Sequence, residues 1–368
     1  MKLKMLKMLA VLGAMVFLTA CGSAPATNWP SLSSDGKTVY LSNGSFIYVV
    51  DVASGIEKTV NTAEGTLPAR FPQKADGAMA FYAPVEISPS GSMLVGNSAT
   101  KSHGFYNVDP ATGNIIWSFD QAKNTWFARS ITIGETVYAA SGDGNLYRID
   151  LATGSSAGDP IKISDHSLWI SPVSDGVTIY LVNMDHQVVA LDLDGNVKWT
   201  SELDTSILSA PLVADGKLYI GTLSGKLYSI DSSTGEILWN TQLTGGIWGT
   251  PALGGDALYV GTVSGTAGKV YSVSVTNGAT IWSKDEEGSV VASPVLHGEM
   301  VLYATEAGKL QAVDAAGTPK WQALIENAHF YNAPLVIGDS IVMAPMNAEF
   351  VMVAYDLNGA QRWTFTGK

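Results

Sequence analysis

The sequence predicts an all-β protein, an eight-bladed β-propeller with four-stranded antiparallel blades over residues 28–368. Three observations lead there. One motif recurs eight times at a spacing of about 43 residues. The strands inside each copy are apolar on consecutive positions, and the composition favours turns and sheets over surface helices. Charged residues are 15% of the chain, against about 25% in an average globular protein, while glycine is frequent (38 of 368) and aromatics reach 9%. An apolar share of 46% supports a large core and rules out wholesale disorder.

The clearest copy runs from Ala210-Pro211 through Leu218-Tyr219-Ile220-Gly221 and Leu227-Tyr228-Ser229-Ile230-Asp231 to Thr234-Gly235 and Trp239. The next begins at Thr250-Pro251 and ends at Gly278 and Trp282. The other copies open at Trp29-Pro30, Ala83-Pro84, Arg129-Ser130, Ser171-Pro172, Ser293-Pro294 and Ala333-Pro334. Closing tryptophans fall at Trp117, Trp199, Trp239, Trp282, Trp321 and Trp363.

Runs such as Leu218-Tyr219-Ile220 lack the alternation of a half-wet strand, so both faces must be covered. A propeller does this by sandwiching each blade between two others. The Asp-x-x-Thr-Gly element (Asp109 to Gly113, Asp231 to Gly235) reads as a turn. The carboxylate bonds backbone amides two residues on, and glycine takes positive φ without steric cost. Two copies depart from the pattern. The first has Thr59 at the closing position and an insertion through Val60–Asp76; the third has Gly158 there. Those blades are expected to be the least regular. Closure between blades 1 and 8 is expected to be weaker, since no outer strand is donated across the chain ends.

The amino end carries a separate signal. Lys2, Lys4 and Lys7 precede an apolar stretch, Met8 to Leu18, and then Leu18-Thr19-Ala20-Cys21. This is the layout of a secretory signal, too short to remain as a membrane-spanning helix. Leu-Thr-Ala-Cys resembles the lipobox of bacterial lipoproteins, which implies a signal peptide at 1–20 and lipid on Cys21, the only cysteine of the chain. Residues 21–27 then form a short lipid-anchored leader. The same resemblance places the protein in the cell envelope, on the periplasmic face of an outer membrane where the organism has two membranes, because Gly22 rather than Asp follows the cysteine. The net charge of −12 becomes more negative once the three lysines are removed. A body this acidic repels phosphate backbones, so no nucleic-acid partner is expected.

Asp109-Pro-Ala-Thr-Gly113-Asn-Ile-Ile-Trp117 and Asp231-Ser-Ser-Thr-Gly235-Glu-Ile-Leu-Trp239 resemble the tryptophan-docking repeats of quinoprotein (PQQ-like) propellers. That family has eight blades and two branches. Its dehydrogenases hold PQQ and Ca²⁺, and many stack adjacent cysteines on the quinone; this chain has no cysteine pair. Asp109, Asp150, Asp192, Asp231, Asp314 and Asp356 all occupy the turn position, which gives them a structural role. His103, His166, His186, His297 and His329 show no zinc-ligand spacing, and no GxSxG or P-loop pattern occurs. No enzyme activity, cofactor or metal is therefore expected. The second branch comprises envelope lipoproteins of the BamB type, whose size, lipobox, leader and repeats resemble this chain. Members that dock the assembly machine's core subunit use a Leu-rich, Arg-containing segment before one repeat. The corresponding segments here, Thr205-Ser206-Ile207-Leu208-Ser209 and Gly288-Ser289-Val290-Val291-Ala292, contain no Arg.

One pattern remains. Three residues before each opening Pro (or Ser130) stand Phe81, Phe127, Trp169, Leu208, Trp248, Val291 and Tyr331. Junctions cross one face of a propeller towards its funnel. Phe81, Phe127, Trp169, Trp248 and Tyr331 are thus candidates for an aromatic collar that binds a ligand or partner, the alternative being rings wedged between blades. Trp29 and Trp126 lie at junctions too. The sequence reads as a membrane-anchored, non-catalytic scaffold that binds envelope proteins, with outer-membrane protein assembly as the implied setting. The alternative is a receptor for a small ligand, PQQ or a glycan, in the central funnel. The Cys21→Ser variant is expected to leave the membrane fraction with its far-UV spectrum unchanged; full retention in membranes contradicts lipid attachment.

Overall fold

The computed structural model describes residues 29–62, 65–75 and 77–367. The signal, the leader and Cys21 lie outside the described residues. All regular structure among the described residues is β, arranged as eight blades. Seven blades are four-stranded antiparallel meanders, as in blade 5: Leu212–Ala214, Lys217–Gly221, Lys226–Asp231 and Ile237–Gln242.

Burial varies along each meander as the repeat predicts. First strands of neighbouring blades touch, Ala252–Gly254 against Val295–His297 and Ser31–Ser34 against Leu335–Ile337, so they ring the axis. Second and third strands are sealed on both faces: Leu218, Tyr219 and Ile220 are at most 2% exposed. Fourth strands alternate between exposed and half-buried residues, as expected for an outer edge with one covered face. The core consists of layers between blades. One layer joins Tyr219 and Leu227 of blade 5 to Leu258, Val260 and Tyr271 of blade 6.

The closing tryptophans hold each blade to the next. The Nε1–H of Trp117, Trp199, Trp239, Trp282 and Trp321 donates to the carbonyl oxygen of Leu151, Ser232, Val275, Ala315 and Leu357, at 2.7–3.1 Å. Each ring lies flat on the glycine of the following turn. At Gly154, with φ +72°, an added Cβ would fall 2.6 Å from the Trp117 indole. Positive φ and the absence of a side chain are thus both required there. The turn carboxylates cap their own loops: Asp231 accepts from the Ser233 and Thr234 amides at 2.9 and 3.0 Å. Lys320, 2.9 Å away, is the largest cause holding the Asp314 carboxyl down at about 2.

The seam between blades 8 and 1 departs from expectation. Trp363 Nε1–H donates to the Val52 carbonyl at 2.8 Å, and its ring covers Gly55, where a Cβ would sit 2.4 Å away. Val39, Leu41 and Val50 pack with Val342, Met352 and Ala354. The ring closes by indole docking as at the other junctions, and no exchanged strand is required.

The two irregular copies are found where expected, and each fills its missing indole site. In blade 1 the main sheet has three strands, Ser31–Ser34, Thr38–Asn43 and Phe46–Asp51. Glu57 bridges to Val50 on the outer edge, and the chain then leaves as a hairpin of Thr59–Thr62 and Gly65–Pro68. It returns to pair Phe71 with Ile47 through bonds of 2.7 and 3.0 Å. Arg70 forms an ion pair with Glu57 and lies over the Phe46 and Tyr48 rings. Gln73 and the Arg70 carbonyl cover Gly113 in place of an indole. In blade 3 the fourth strand shrinks to Ile161–Lys162, and Ile161 covers Gly195. The residue that substitutes for tryptophan is therefore Ile161, and not Gly158.

Loss of one indole docking is costly. Trp363→Ala is expected to lower stability by roughly 3 kcal/mol, the cost of truncating a packed aromatic. A chemical-denaturation midpoint equal to that of the native chain contradicts closure through Trp363.

Candidate binding surface at the funnel mouth

In an up-and-down meander, the first and third turns lie at one end of the blade. The second turn and the junction to the next blade lie at the other. The collar positions therefore share one end of the propeller, at the mouth of the central funnel. The structure shows two registers at each junction. A sealed residue comes first and an open one follows: Trp126 then Phe127, Leu168 then Trp169, Ile207 then Leu208, Ile247 then Trp248, Val290 then Val291, Phe330 then Tyr331. The first of each pair is 0–1% exposed.

The sealed residue is a wedge pinned by backbone bonds. Trp126, Ile247 and Val290 amides donate to the Asn97, Thr222 and Thr262 carbonyls at 3.0–3.2 Å. Gly96, Gly221 and Gly261 leave room for their side chains; a Cβ at Gly96 would overlap Trp126 at 2.0 Å. Trp126 also donates from Nε1 to the His103 carbonyl at 2.7 Å and meets Phe105 and Tyr147 edge-on or tilted. In extended backbone the next side chain turns away from the blade interface, so the wedge aims its neighbour into the mouth.

Phe81 does not belong to the collar. It is fully buried, packs on Phe71 at 5.6 Å, and bonds Gly44 through its amide. This junction is one residue shorter before its proline, so Phe81 takes the wedge register and half-exposed Tyr82 takes the collar register. Comparison of Phe81-Tyr82 with Trp126-Phe127 is the sequence signal for this shift. Trp29 is the other collar residue outside the five candidates. It is 53% exposed and stacks on Tyr331 with centroids 5.3 Å apart and planes 12° from parallel.

The aromatic residues form an arc. Tyr331 and Trp29 lead into blades 8 and 1. Tyr82 stacks on Phe127 at 6.4 Å, and Phe127 meets the edge of Trp169 at 6.2 Å. Trp169 is 48% exposed. Half-buried Trp248 stands between Leu208 and Val291 in the blade order and belongs to no ring pair of the arc. His329 lies 6.2 Å from Tyr331 and bonds the Glu306 carbonyl through Nδ1. The Tyr331 hydroxyl is pushed up to about 12, first by burial and then by the charge and hydrogen bond of Glu306, so it remains a proton donor at neutral pH.

The mouth offers stacking surface beside one acid–base pair, His166 with Asp185 at 2.8 Å, whose carboxylate also accepts from the Ser164 hydroxyl at 2.7 Å. Among the described residues, no three His, Cys, Asp or Glu side chains converge on a point that could hold a metal. The repeat carboxylates sit at the opposite end and are engaged by their own turns. These residues do not fit a quinone with its calcium ion. A depression of about 480 Å³ between blades 7 and 8, lined by Glu299, Asp314, Lys320 and Trp321, also lies away from the mouth, and Lys320 pairs there with Asp314 at 2.9 Å.

Fold and repeat together define a PQQ-like propeller. A family model described as "Outer membrane protein assembly factor BamB" matches residues 161–265 and 223–366, more than half of the chain, and the chain belongs to that family. BamB of Burkholderia pseudomallei is 28% identical over 122 residues, which cover 33% of this chain and 32% of that protein. BamB of Escherichia coli K12 is 32% identical over 107 residues, 28% of this chain and 26% of that protein. The matched segment thus spans about a third or less of these relatives. BamB from Moraxella catarrhalis superposes with a TM-score of 0.65 at 18% identity, over 92% of this chain and 94% of that one. The computationally designed Ika8 protein gives 0.64 at 14% identity, over 79% and 88%. Both likenesses concern the fold alone.

The two registers predict opposite outcomes for neighbouring rings. Trp126→Ala is expected to cost about 3–5 kcal/mol, because a sealed indole leaves a cavity. Trp169→Ala is expected to cost less than about 1 kcal/mol. Equal shifts in denaturation midpoint contradict the assignment of wedge and collar.

Proposed function

We propose that this chain is a non-catalytic scaffold of the cell envelope that serves the assembly of outer-membrane proteins through contacts with other envelope proteins. Membership of the BamB family carries this reading, since the matched relatives are outer-membrane protein assembly factors by name. The proposed anchor is lipid on Cys21, which holds the propeller at the periplasmic face of the outer membrane. Two or more acyl chains on one residue give firm retention, where a single chain gives marginal binding. The proposed contact surface is the collar: Trp29, Tyr82, Phe127, Trp169, Trp248 and Tyr331. The non-catalytic part of this reading is supported by the matched relatives, which are assembly factors by name.

Removal of the gene product is expected to lower the amount of folded β-barrel proteins in the outer membrane. The native chain restores that amount, and the Cys21→Ser variant restores it only in part. Quantitative proteomics of outer membranes reads both effects. Unchanged β-barrel abundance in the deletion strain contradicts the assembly role.

A further inference from the structure

A groove runs beside each closing position, between one blade and the next. In blades 1, 4 and 8 the residue before that position is a cation, and it crosses the groove to the second strand of its own blade. Lys58 donates to the Thr38 hydroxyl and Lys198 to the Thr178 hydroxyl, the latter at 2.7 Å. Arg362 donates to the Ser340 hydroxyl at 2.7 Å and to the Asp339 carboxylate at 2.8 Å. Blade 7 has its cation too, Lys320, but no hydroxyl to receive it. Met300, paired with the turn residue Asp314, stands where Thr38 and Ser340 pair with Asp51 and Asp356. A thioether is a weak acceptor, and Lys320 turns to Asp314 at 2.9 Å instead of crossing. The groove between blades 7 and 8 is therefore left open, as the depression of about 480 Å³.

We propose that this open groove binds a saccharide, as a neutral or amino-bearing pyranose. Its inner wall is apolar: Met300, Trp321 and Leu357 line it and pack on the core layer between blades 7 and 8. Trp321 is held in place by its Nε1–H bond to the Leu357 carbonyl at 2.7 Å, which makes the wall a fixed platform. The rim is polar and offers both senses of hydrogen bond. Glu299 and Asp314 accept, Lys320 donates, and the Asn358 amide does both. A cationic ligand would use only the acceptors, and an anionic one only the donors. A sugar uses all of them, because its hydroxyls donate and accept around a ring whose C–H face packs on an aromatic wall. Two carboxylates against one ammonium disfavour acidic sugars. The volume falls within the range of about 300–1,000 Å³ common to small-ligand sites. The groove lies at the turn end, apart from the collar, so the inference is independent of the protein contacts proposed for the mouth.

Saturation-transfer NMR on the purified full-length chain tests this. The probes are maltose, cellobiose and N,N′-diacetylchitobiose, each at about 10 mM, with N-acetylarginine amide as a cationic comparison. At least one disaccharide is expected to bind, with the strongest transfer to its ring C–H protons. Glu299→Ala combined with Asn358→Ala alters two exposed side chains, so the denaturation midpoint is expected to stay unchanged. Binding is expected to weaken at least about tenfold, as the loss of two hydrogen-bonding groups implies. Met300→Thr supplies the hydroxyl found in blades 1 and 4 and draws Lys320 across the groove. It is expected to weaken binding by a similar factor although every polar group of the rim is retained. Binding of none of the disaccharides overturns the inference. Sugar binding undiminished in either folded variant also overturns it, since the sugar then sits elsewhere. Binding of N-acetylarginine amide alone assigns the groove to a cationic side chain and overturns it as well.

Discussion

The docking of an indole on the glycine of the next blade is the interaction on which the molecule depends. Each blade exposes two apolar faces and has no independent core, so it is stable only between neighbours. The tryptophan hydrogen bond fixes where that neighbour sits. The glycine beneath the ring fixes how closely the two approach, as the overlap of a Cβ at Gly55 with Trp363 illustrates. Because the seam uses the same device, the first and last blades are joined through side chains. The described residues begin at the mouth, with Trp29.

The same economy shapes the mouth. A junction must cross from the outer edge of one blade to the inner strand of the next, and its backbone is tied to the preceding blade at one residue. That residue becomes a wedge, and the alternation of extended chain makes its successor a mouth residue. Sealed Trp126 and half-exposed Phe127 are consequences of one backbone trace. Packing and surface display are not competing accounts of the junction aromatics, because each occupies a register of its own. Five positions of the second register carry rings, Tyr82, Phe127, Trp169, Trp248 and Tyr331, and Trp29, directly before Pro30, stacks on Tyr331; all but Trp248 fall on consecutive blades from 8 round to 4, and this asymmetry gives an otherwise cyclic body a preferred side.

The fold was legible in the sequence because its determinants repeat. Asp231 to Gly235 and Trp239 recur at constant spacing, and a physical role for each follows from local chemistry. The details hidden in the sequence are the ones that repeat only once. Ile161 and Gln73 replace an indole by reaching the same glycine from other positions, and no spacing rule identifies a residue that acts through a different backbone path. At the seam the chain ends donate no strand to each other, and Trp363 closes the ring without exchange by reaching Val52 and Gly55. At the mouth, four of the five candidate rings lie in the collar register. Phe81 was misplaced because counting back from a proline assumes equal junction lengths, and its junction is one residue shorter. The segment that includes Cys21 lies outside the described residues, so its reading is one of sequence.

The central claim is that eight blades form one closed cooperative ring, with the seam between blades 8 and 1 as strong as any other junction. Native-state hydrogen exchange measures this most directly, because it reports the free energy at which each protected strand opens. The account predicts that amides of the second strands in blades 1 and 8, such as Val39, Leu41, Ile341 and Val342, exchange through the same opening as Leu218 and Ile220 in blade 5. Earlier opening confined to blades 1 and 8 would contradict closure by Trp363 and the single-ring account built on it.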